Sequence, residues 1–352
     1  MDKRKVEILD AIINSYIDLP TPVGSRTISK DLNLGVSSAT IRNEMADLED
    51  LGYLNKPHTS AGRIPSDKAY RFYVDKIQSL QNPKTQIDEN LKKMLFENVV
   101  NIDDLFRNAA KLLADLTSCT SYVISSKKPD TKIKFIELIS LDDYTVLLLI
   151  VGNKGVVEKE IITLDYAISE EELKKISESL NKEMMGIDFD ELSGLKVMLT
   201  GEMTYYKDFI SDVIKRASSF NQRISEVRLY YDGLTNILNY EEYWDINKAR
   251  EFMNFVENKD SILQMLKNLG NRNETDVEVI IGSENTNEIM KRNSIIRTTY
   301  KAKNNQIGQI GIIGPVRMDY KKHIVTVKAF SENLAAALDE MVGWVVNDWW
   351  KY

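Results

Sequence analysis

Two short stretches of the 352-residue chain hold side chains whose chemistry suits a polyanion. The first carries Ser38, Thr40, Arg42 and Asn43, whose hydroxyl, guanidinium and amide groups can meet base edges and phosphates, with small Ala39 among them allowing close approach. The second carries Lys56, His58, Thr59, Ser60 and Arg63 around Pro57, Ala61 and Gly62. Short polar side chains and free backbone amides between two cations suit phosphate or minor-groove contact. Each stretch alone also reads as ordinary solvated surface, a polar helix face and a charged hairpin. Together they favour double-stranded DNA.

The elements that must hold these residues follow from apolar spacing. Val6, Leu9, Ile12, Ile13 and Tyr16 recur at helical intervals until Pro20 and Pro22, predicting a helix over 3–19. A short helix over 26–32 buries Ile28 and Leu32, and Ser37 is placed to cap a third helix over 38–51 that buries Ile41, Met45 and Leu48 before Gly52 stops it. Two helices joined by a short Gly-bearing turn suggest helix-turn-helix, and the following 53–56 and 63–64 can pair as a wing around the 57–62 tip. On this third helix Asp47, Glu49 and Asp50 would repel phosphate, so only its first turns are expected in a major groove. Lys3 and Arg4 could add phosphate contacts or simply be solvated. A fourth helix begins after Pro65-Ser66, with Tyr70, Tyr73, Ile77 and Leu80 on one face, and 82–84 reads as a linker.

The formal charge of -7 argues against a nucleic-acid binder, but residues 1–80 are neutral, with eleven Lys and Arg against eleven Asp and Glu. Lys56, Arg63, Lys68 and Arg71 make a local basic patch opposed by Asp67 alone. Enzymatic chemistry has little material. His58 and His323 are the two histidines and Cys119 the one thiol, so a metal cluster or a Ser-His-Asp triad is not expected, nor any cofactor. Gly308, Gly311 and Gly314 fit neither the dinucleotide fingerprint nor the P-loop and read as strand glycines. For Arg317 and Tyr320 a binding role and a structural turn stand level. The apolar runs are too short to span a bilayer, and the charged start and single cysteine predict a cytoplasmic protein.

Downstream, helices are predicted over 87–100, 102–116, 169–185, 205–220, 246–269 and 331–350, and strands over 122–126, 133–141, 144–151, 156–164, 277–281, 294–300 and 307–313. Early and late strands split by helices suggest one α+β domain carrying an insertion. Segments 145–151, 277–281 and 307–313 are β-prone and almost free of charge, and drawing them into one sheet would be slow. The late tryptophans Trp344, Trp349 and Trp350 follow a stripe of Leu334, Leu338, Met341 and Val345 that is expected to pack on the sheet or at a dimer contact.

The run S-S-A-T-I-R-N-E-M-A-D-L-E-D-L-G-Y-L (37–54) followed by K-P-H-T-S-A-G-R-I-P (56–65) resembles the HrcA heat-inducible transcription repressors. I-G-S-E-N (281–285) and I-G-x-I-G-I-I-G-P-V-R-M-D-Y (307–320) look like that family's C-terminal signature. The resemblance implies an α+β multidomain chain: an N-terminal winged helix-turn-helix (1–82), then a GAF-like α/β domain (83–165 and 226–352) with an inserted dimerisation domain (166–225). It further implies a homodimer on an inverted-repeat operator, called CIRCE, before chaperonin and chaperone operons, with activity maintained by chaperonin. Operator contact falls to Ser38, Thr40, Arg42 and Asn43 on the helix and to Lys56, His58, Thr59, Ser60 and Arg63 on the wing. Tyr230-Tyr231-Asp232-Gly233 departs from a Y-V-G-G-like stretch frequent in relatives and is expected to alter a loop. The alternative function is a ligand-sensing regulator with a small-molecule pocket in the GAF-like domain. Aliphatic side chains filling the sheet faces would favour a purely structural domain.

Overall fold

The apolar spacing of the first eighty residues is satisfied by a helical core that runs on into the core of the later helices and sheet. The computed structural model describes residues 1–31, 37–58, 62–80, 88–125, 132–152, 157–188, 191–194, 201–224, 227–268, 277–302 and 307–347. In it α1 (Lys3–Asp18), α2 (Ser25–Asp31) and α3 (Ser38–Asp50) bury Ile8, Leu9, Ile12, Ile13, Ile28, Ile41, Met45 and Leu48 together. Asp2 caps α1 by accepting the Lys5 N–H, and Ser37 caps α3 by accepting the Thr40 N–H at 3.2 Å. Gly52, at φ 77°, ends α3 in the left-handed conformation that glycine adopts without strain. Strands β1 (Leu54–Asn55) and β2 (Ile64–Pro65) then pair antiparallel, and Val23 joins the hairpin through two 2.9 Å backbone hydrogen bonds with Arg63. Ser66 opens α4 (Asp67–Leu80) by accepting the Ala69 N–H, while its hydroxyl donates to the Gly52 carbonyl at 2.7 Å.

The second unit is a five-stranded antiparallel sheet of β3 (Thr120–Ser125), β7 (Arg228–Asp232), β8 (Glu278–Ile281), β9 (Asn293–Lys301) and β10 (Ile307–Pro315), in the order β7-β3-β10-β9-β8. Side chains alternate between its faces, as period-2 strands require. Val123, Ile296, Ile310 and Ile312 pack towards α5 (Glu89–Leu95), α6 (Ile102–Thr117) and α11 (Tyr320–Asn347). Ile124, Leu229, Ile280 and Ile295 pack towards α9 (Ile246–Glu257) and α10 (Lys259–Asn268). The predicted helix over 246–269 is thus two, divided at Asn258, whose side chain accepts the Ser261 N–H. The stretch read as an altered loop, Tyr230 to Asp232, lies in edge strand β7. The last helix starts at Tyr320 rather than 331; it buries Leu334 and Leu338, and Trp349 and Trp350 lie outside the described residues.

The remaining strands form a separate sheet. Strands β4 (Ile133–Asp142), β5 (Thr145–Gly152) and β6 (Val157–Thr163) pair in the order β4-β5-β6 and share a core with α7 (Glu170–Met184) and α8 (Lys207–Ile224). This corrects the expectation that 83–165 belongs to the later sheet and that the insertion begins at 166, because strands 133–163 pack with the helices that follow them. Periodicity shows which residues are extended, not which strand each will meet. For the same reason 145–151 does not join 277–281 and 307–313: β10 pairs instead with β3, from Gly308↔Ser125 to Ile313↔Thr120. No helix among the described residues is long and apolar enough to cross a membrane.

Candidate nucleic-acid interface

Helix α3 buries Ile41, Met45 and Leu48 and turns Ala39, Arg42 and Asn43 to solvent. Ser38 and Thr40 are partly exposed at its first turn, and the Thr40 hydroxyl lies 3.1 Å from that of Ser37. The structure therefore brings the four helix residues singled out in the sequence to one end and one side of α3. The acidic second half is not bare charge. Lys5 on α1 reaches Glu44 at 2.8 Å and Asp47 at 3.0 Å, and Arg4 lies 3.8 Å from Glu44. These contacts hold the Lys5 ammonium well above the usual lysine range, through its hydrogen bonds to Glu44 and then Asp47. Lys3 points away, 3.8 Å from Glu7 on an open face.

On the hairpin, Lys56 and His58 are exposed beside Pro57, while Thr59 and Ser60 lie outside the described residues. Arg63 behaves differently. Its guanidinium pairs with Glu49 at 2.6 Å and is largely covered, so it joins the base of the hairpin to the far end of α3. A Cβ at Gly62 would overlap the backbone of Pro22 and Val23, which shows how closely the chain after Leu19 is drawn under the hairpin.

The local basic patch read from the sequence is largely spent on internal bracing. Lys68 donates to the Leu51 carbonyl at 2.8 Å and lies over the Tyr53 ring, and Arg71 binds Glu284. Cations at a helix C-terminus and in ion pairs cannot also neutralise phosphate without a cost. Among the described residues, the cations that remain exposed near the first turns of α3 and the hairpin are Arg42 and Lys56, together with Arg26 and Lys30 on α2. Arg26 and Lys30 are not singled out by the sequence, where that helix is marked by its apolar Ile28 and Leu32. The signal that could have drawn attention to them is general: in helix-turn-helix proteins the helix before the turn crosses the DNA backbone.

The groups that could have suggested catalysis are structural. Burial pushes the Cys119 thiol up to about 11 and the His323 imidazole down to about 4, away from neutral acid-base work. Gly311 lies in central strand β10, where a Cβ would meet the Ile296 carbonyl, the Tyr122 hydroxyl and the Arg297 side chain, so it serves packing. Arg317 donates to the Ile17 carbonyl at 3.0 Å and to Glu242 at 2.7 Å, and the Tyr320 hydroxyl sits between Ser294 and Val316.

Residues 103–324 match the model of the HrcA protein C terminal domain. Among curated relatives, the heat-inducible transcription repressor HrcA of Clostridium tetani is 39% identical over 344 residues, covering 97% of this chain and 96% of that one. The repressor of the same name from Thermoanaerobacter sp. is 38% identical over 348 residues, covering 97% and 98%. That from Clostridioides difficile is 37% identical over 328 residues, covering 92% and 95%. A crystal structure of a hypothetical protein shares the fold, with a TM-score of 0.66 at 23% identity over 97% of this chain and 99% of that one.

Proposed function

Because the chain belongs to the HrcA family of heat-inducible transcription repressors, we propose that it represses by binding an inverted-repeat operator as a two-fold dimer, with α1–α4 and the hairpin acting as a winged helix-turn-helix. The observation that carries this reading is the exposed end of α3, where Ala39, Arg42 and Asn43 face solvent while Glu44, Asp47 and Glu49 behind them are paired with cations. That arrangement lets the first turns enter a major groove with little opposing charge. Ser38, Thr40, Arg42 and Asn43 meet the groove or its phosphates; Lys56, His58, Thr59 and Ser60 meet the flanking backbone or minor groove. Arg63 acts through Glu49, setting the angle of the wing.

The dimer forms through the inserted unit, 132–224. Its sheet is apolar on both faces: Ile136, Leu138, Val146, Leu148 and Ile150 fill its core, while Phe135, Ile139, Leu147, Leu149, Val151, Val157 and Ile161 lie on the other side. Val157 and Ile161 are each more than half exposed, which a covered sheet face would not leave. Cross-strand partners place Glu137 and Lys159 on either side of Leu149, so a copy turned about a two-fold axis running along β5 sets glutamate against lysine. The five-stranded unit is GAF-like and packs Val279, Ile280 and Ile281 into its cores, which supports a structural role over a ligand pocket. The protein is cytoplasmic, and chaperonin maintains its folded fraction on the chaperone operons it represses, the operator being of the CIRCE type. Titration of the purified protein on the inverted repeat and on one isolated half-site tests the core of this reading. Tight binding of the repeat alone supports it; equal affinity for the half-site refutes it.

A further inference from the structure

The motif I-G-S-E-N (281–285) and the residues around Arg317 have no part in the reader, yet the structure places both against the N-terminal unit. Helix α4 runs antiparallel along the free edge of β8. Gln78 donates to the Val277 carbonyl at 2.6 Å, Arg71 donates to the Val279 carbonyl at 2.6 Å, and Asp67 accepts the Ser283 N–H at 2.8 Å. Two carbonyls on the side of this segment away from β9, those of Val277 and Val279, are thereby taken by side chains from one stripe of α4, and Ile281 N–H is taken by Glu284. Arg71 also grips Glu284 with two nitrogens. Gly282 sits at φ 47° where a Cβ would overlap the Asp67 carboxylate. On the other side Tyr70 and Tyr320 pack with ring centres 5.6 Å apart, and Arg317 holds the last turn of α1.

An open sheet edge normally has to be blunted or covered, and here the cover is the last helix of the DNA-reading unit. We propose that this clamp is a positioning device: it fixes the angle at which each reading head leaves the dimer, so Arg71, Gln78, Gly282 and Glu284 determine which half-site spacing the repressor accepts. The inference rests on the dimer reading above. Each added base pair moves one half-site along the axis and turns it by roughly 35° about it, so a head held rigidly can match one spacing well. A loosely tethered head loses the effective concentration that rigidity provides, but tolerates its neighbours.

The test uses the full-length protein on inverted repeats whose spacer is native or changed by one or two base pairs, with a single half-site alongside. Wild type is expected to prefer one spacer by about tenfold or more. Arg71→Glu, which sets two carboxylates against each other, should flatten that preference to within about threefold while half-site affinity stays within about twofold. The double variant Arg71→Glu/Glu284→Arg, which restores the ion pair but not the bonds to the Val279 carbonyl and the Ile281 N–H, should recover part of it. Gln78→Leu, which keeps the ion pair, gives a smaller flattening and serves if the charge reversal unfolds. The inference is overturned if folded Arg71→Glu and Gln78→Leu keep the wild-type spacing profile, or if they weaken every spacer by one common factor that the double variant does not restore. A wild type that binds the half-site as well as the repeat removes the dimer reading, and this inference with it.

Discussion

Arg63 at the base of the hairpin and Glu49 near the end of α3 form an ion pair of 2.6 Å. A residue whose charge and position suggested a phosphate contact is thereby held by α3 itself. Two roles for Arg63 make opposite forecasts for its partner. If Arg63 braces the wing, Glu49→Ala should weaken operator binding and cost about 0.5 to 1 kcal/mol of stability, and Arg63→Ala should add little on top. If Arg63 instead contacts phosphate, Glu49→Ala frees it and binding tightens. We expect the first outcome from operator titration of the two single variants and the double.

Arg42 and Lys56 should differ in kind. Arg42→Ala should cost about 1 to 3 kcal/mol on the operator and relax sequence preference, as loss of a base contact does. Lys56→Ala should weaken all sequences alike and make the salt dependence shallower by about one unit. Affinities measured against operator and random DNA over a salt series separate these effects. Wild-type binding by both variants would place the reader elsewhere.

The outward face of the three-stranded sheet gives a direct test of assembly. Leu149→Asp, at the centre of that face, should yield a monomer in sedimentation with its helix content intact. Inverted-repeat affinity should fall by about tenfold or more while half-site affinity is unchanged. A dimer that survives this charge would have its contact on another surface.

His323 is buried with an unpartnered Nδ1, and burial lowers its imidazole to about 4, Asp319 opposing that shift and Lys322 adding to it. Between pH 6.5 and 4 the unfolded chain binds a proton that the folded chain refuses. Stability should therefore fall as pH drops through that window, by up to about 3 kcal/mol. His323→Gln should flatten that part of the curve in denaturant titrations. Glu172, held at about 2 by hydrogen bonds from Ser169 and then Tyr206, contributes a separate loss at lower pH, from its ordinary value of 4.5 downwards. A His323→Gln profile as steep as wild type between pH 4 and 6.5 would contradict this.

The N-terminal helices are legible in the sequence because their signals are local. Ser37, Gly52 and Ser66 mark helix ends within a few residues of the apolar stripes they bound, and each is found in that role. Partners of the charged groups were not legible. Beside the local pairs Lys5–Asp2 and Arg71–Asp75, whose spacing is helical, Lys5, Arg63, Lys68 and Arg71 find partners between 14 and 213 residues away, and nothing in their spacing announces those. Strand partners are hidden in the same way: β5 shares its charge-free, β-prone character with β8 and β10 but pairs with β4 and β6. Edge strand β7 was overlooked because five residues ending in Arg228 and Asp232 show too short an alternation to count.

The last prediction concerns heat. Central strand β10 pairs with β3 across roughly 190 residues of chain, with the whole inserted unit between them, and the edge at β8 is covered only once α4 has docked. The five-stranded sheet thus needs segments from both ends of the chain before its apolar strands are protected. Until then Val279, Ile280 and Ile281 and the charge-free run of β10 are exposed, the kind of segment that associates between chains. Warming should enlarge that population, so DNA-binding activity should fall with protein concentration as well as with temperature. Chaperonin with ATP should restore it by sequestering chains during the slow step, and competing unfolded protein should draw that help away. Operator binding is to be measured after dilution from denaturant and after mild heating, each with and without chaperonin, at two protein concentrations. Active fractions several-fold higher with chaperonin, most of all at the higher concentration, are expected. Binding that is complete, heat-resistant and indifferent to chaperonin would move the source of the heat response out of folding and into a ligand of the five-stranded unit.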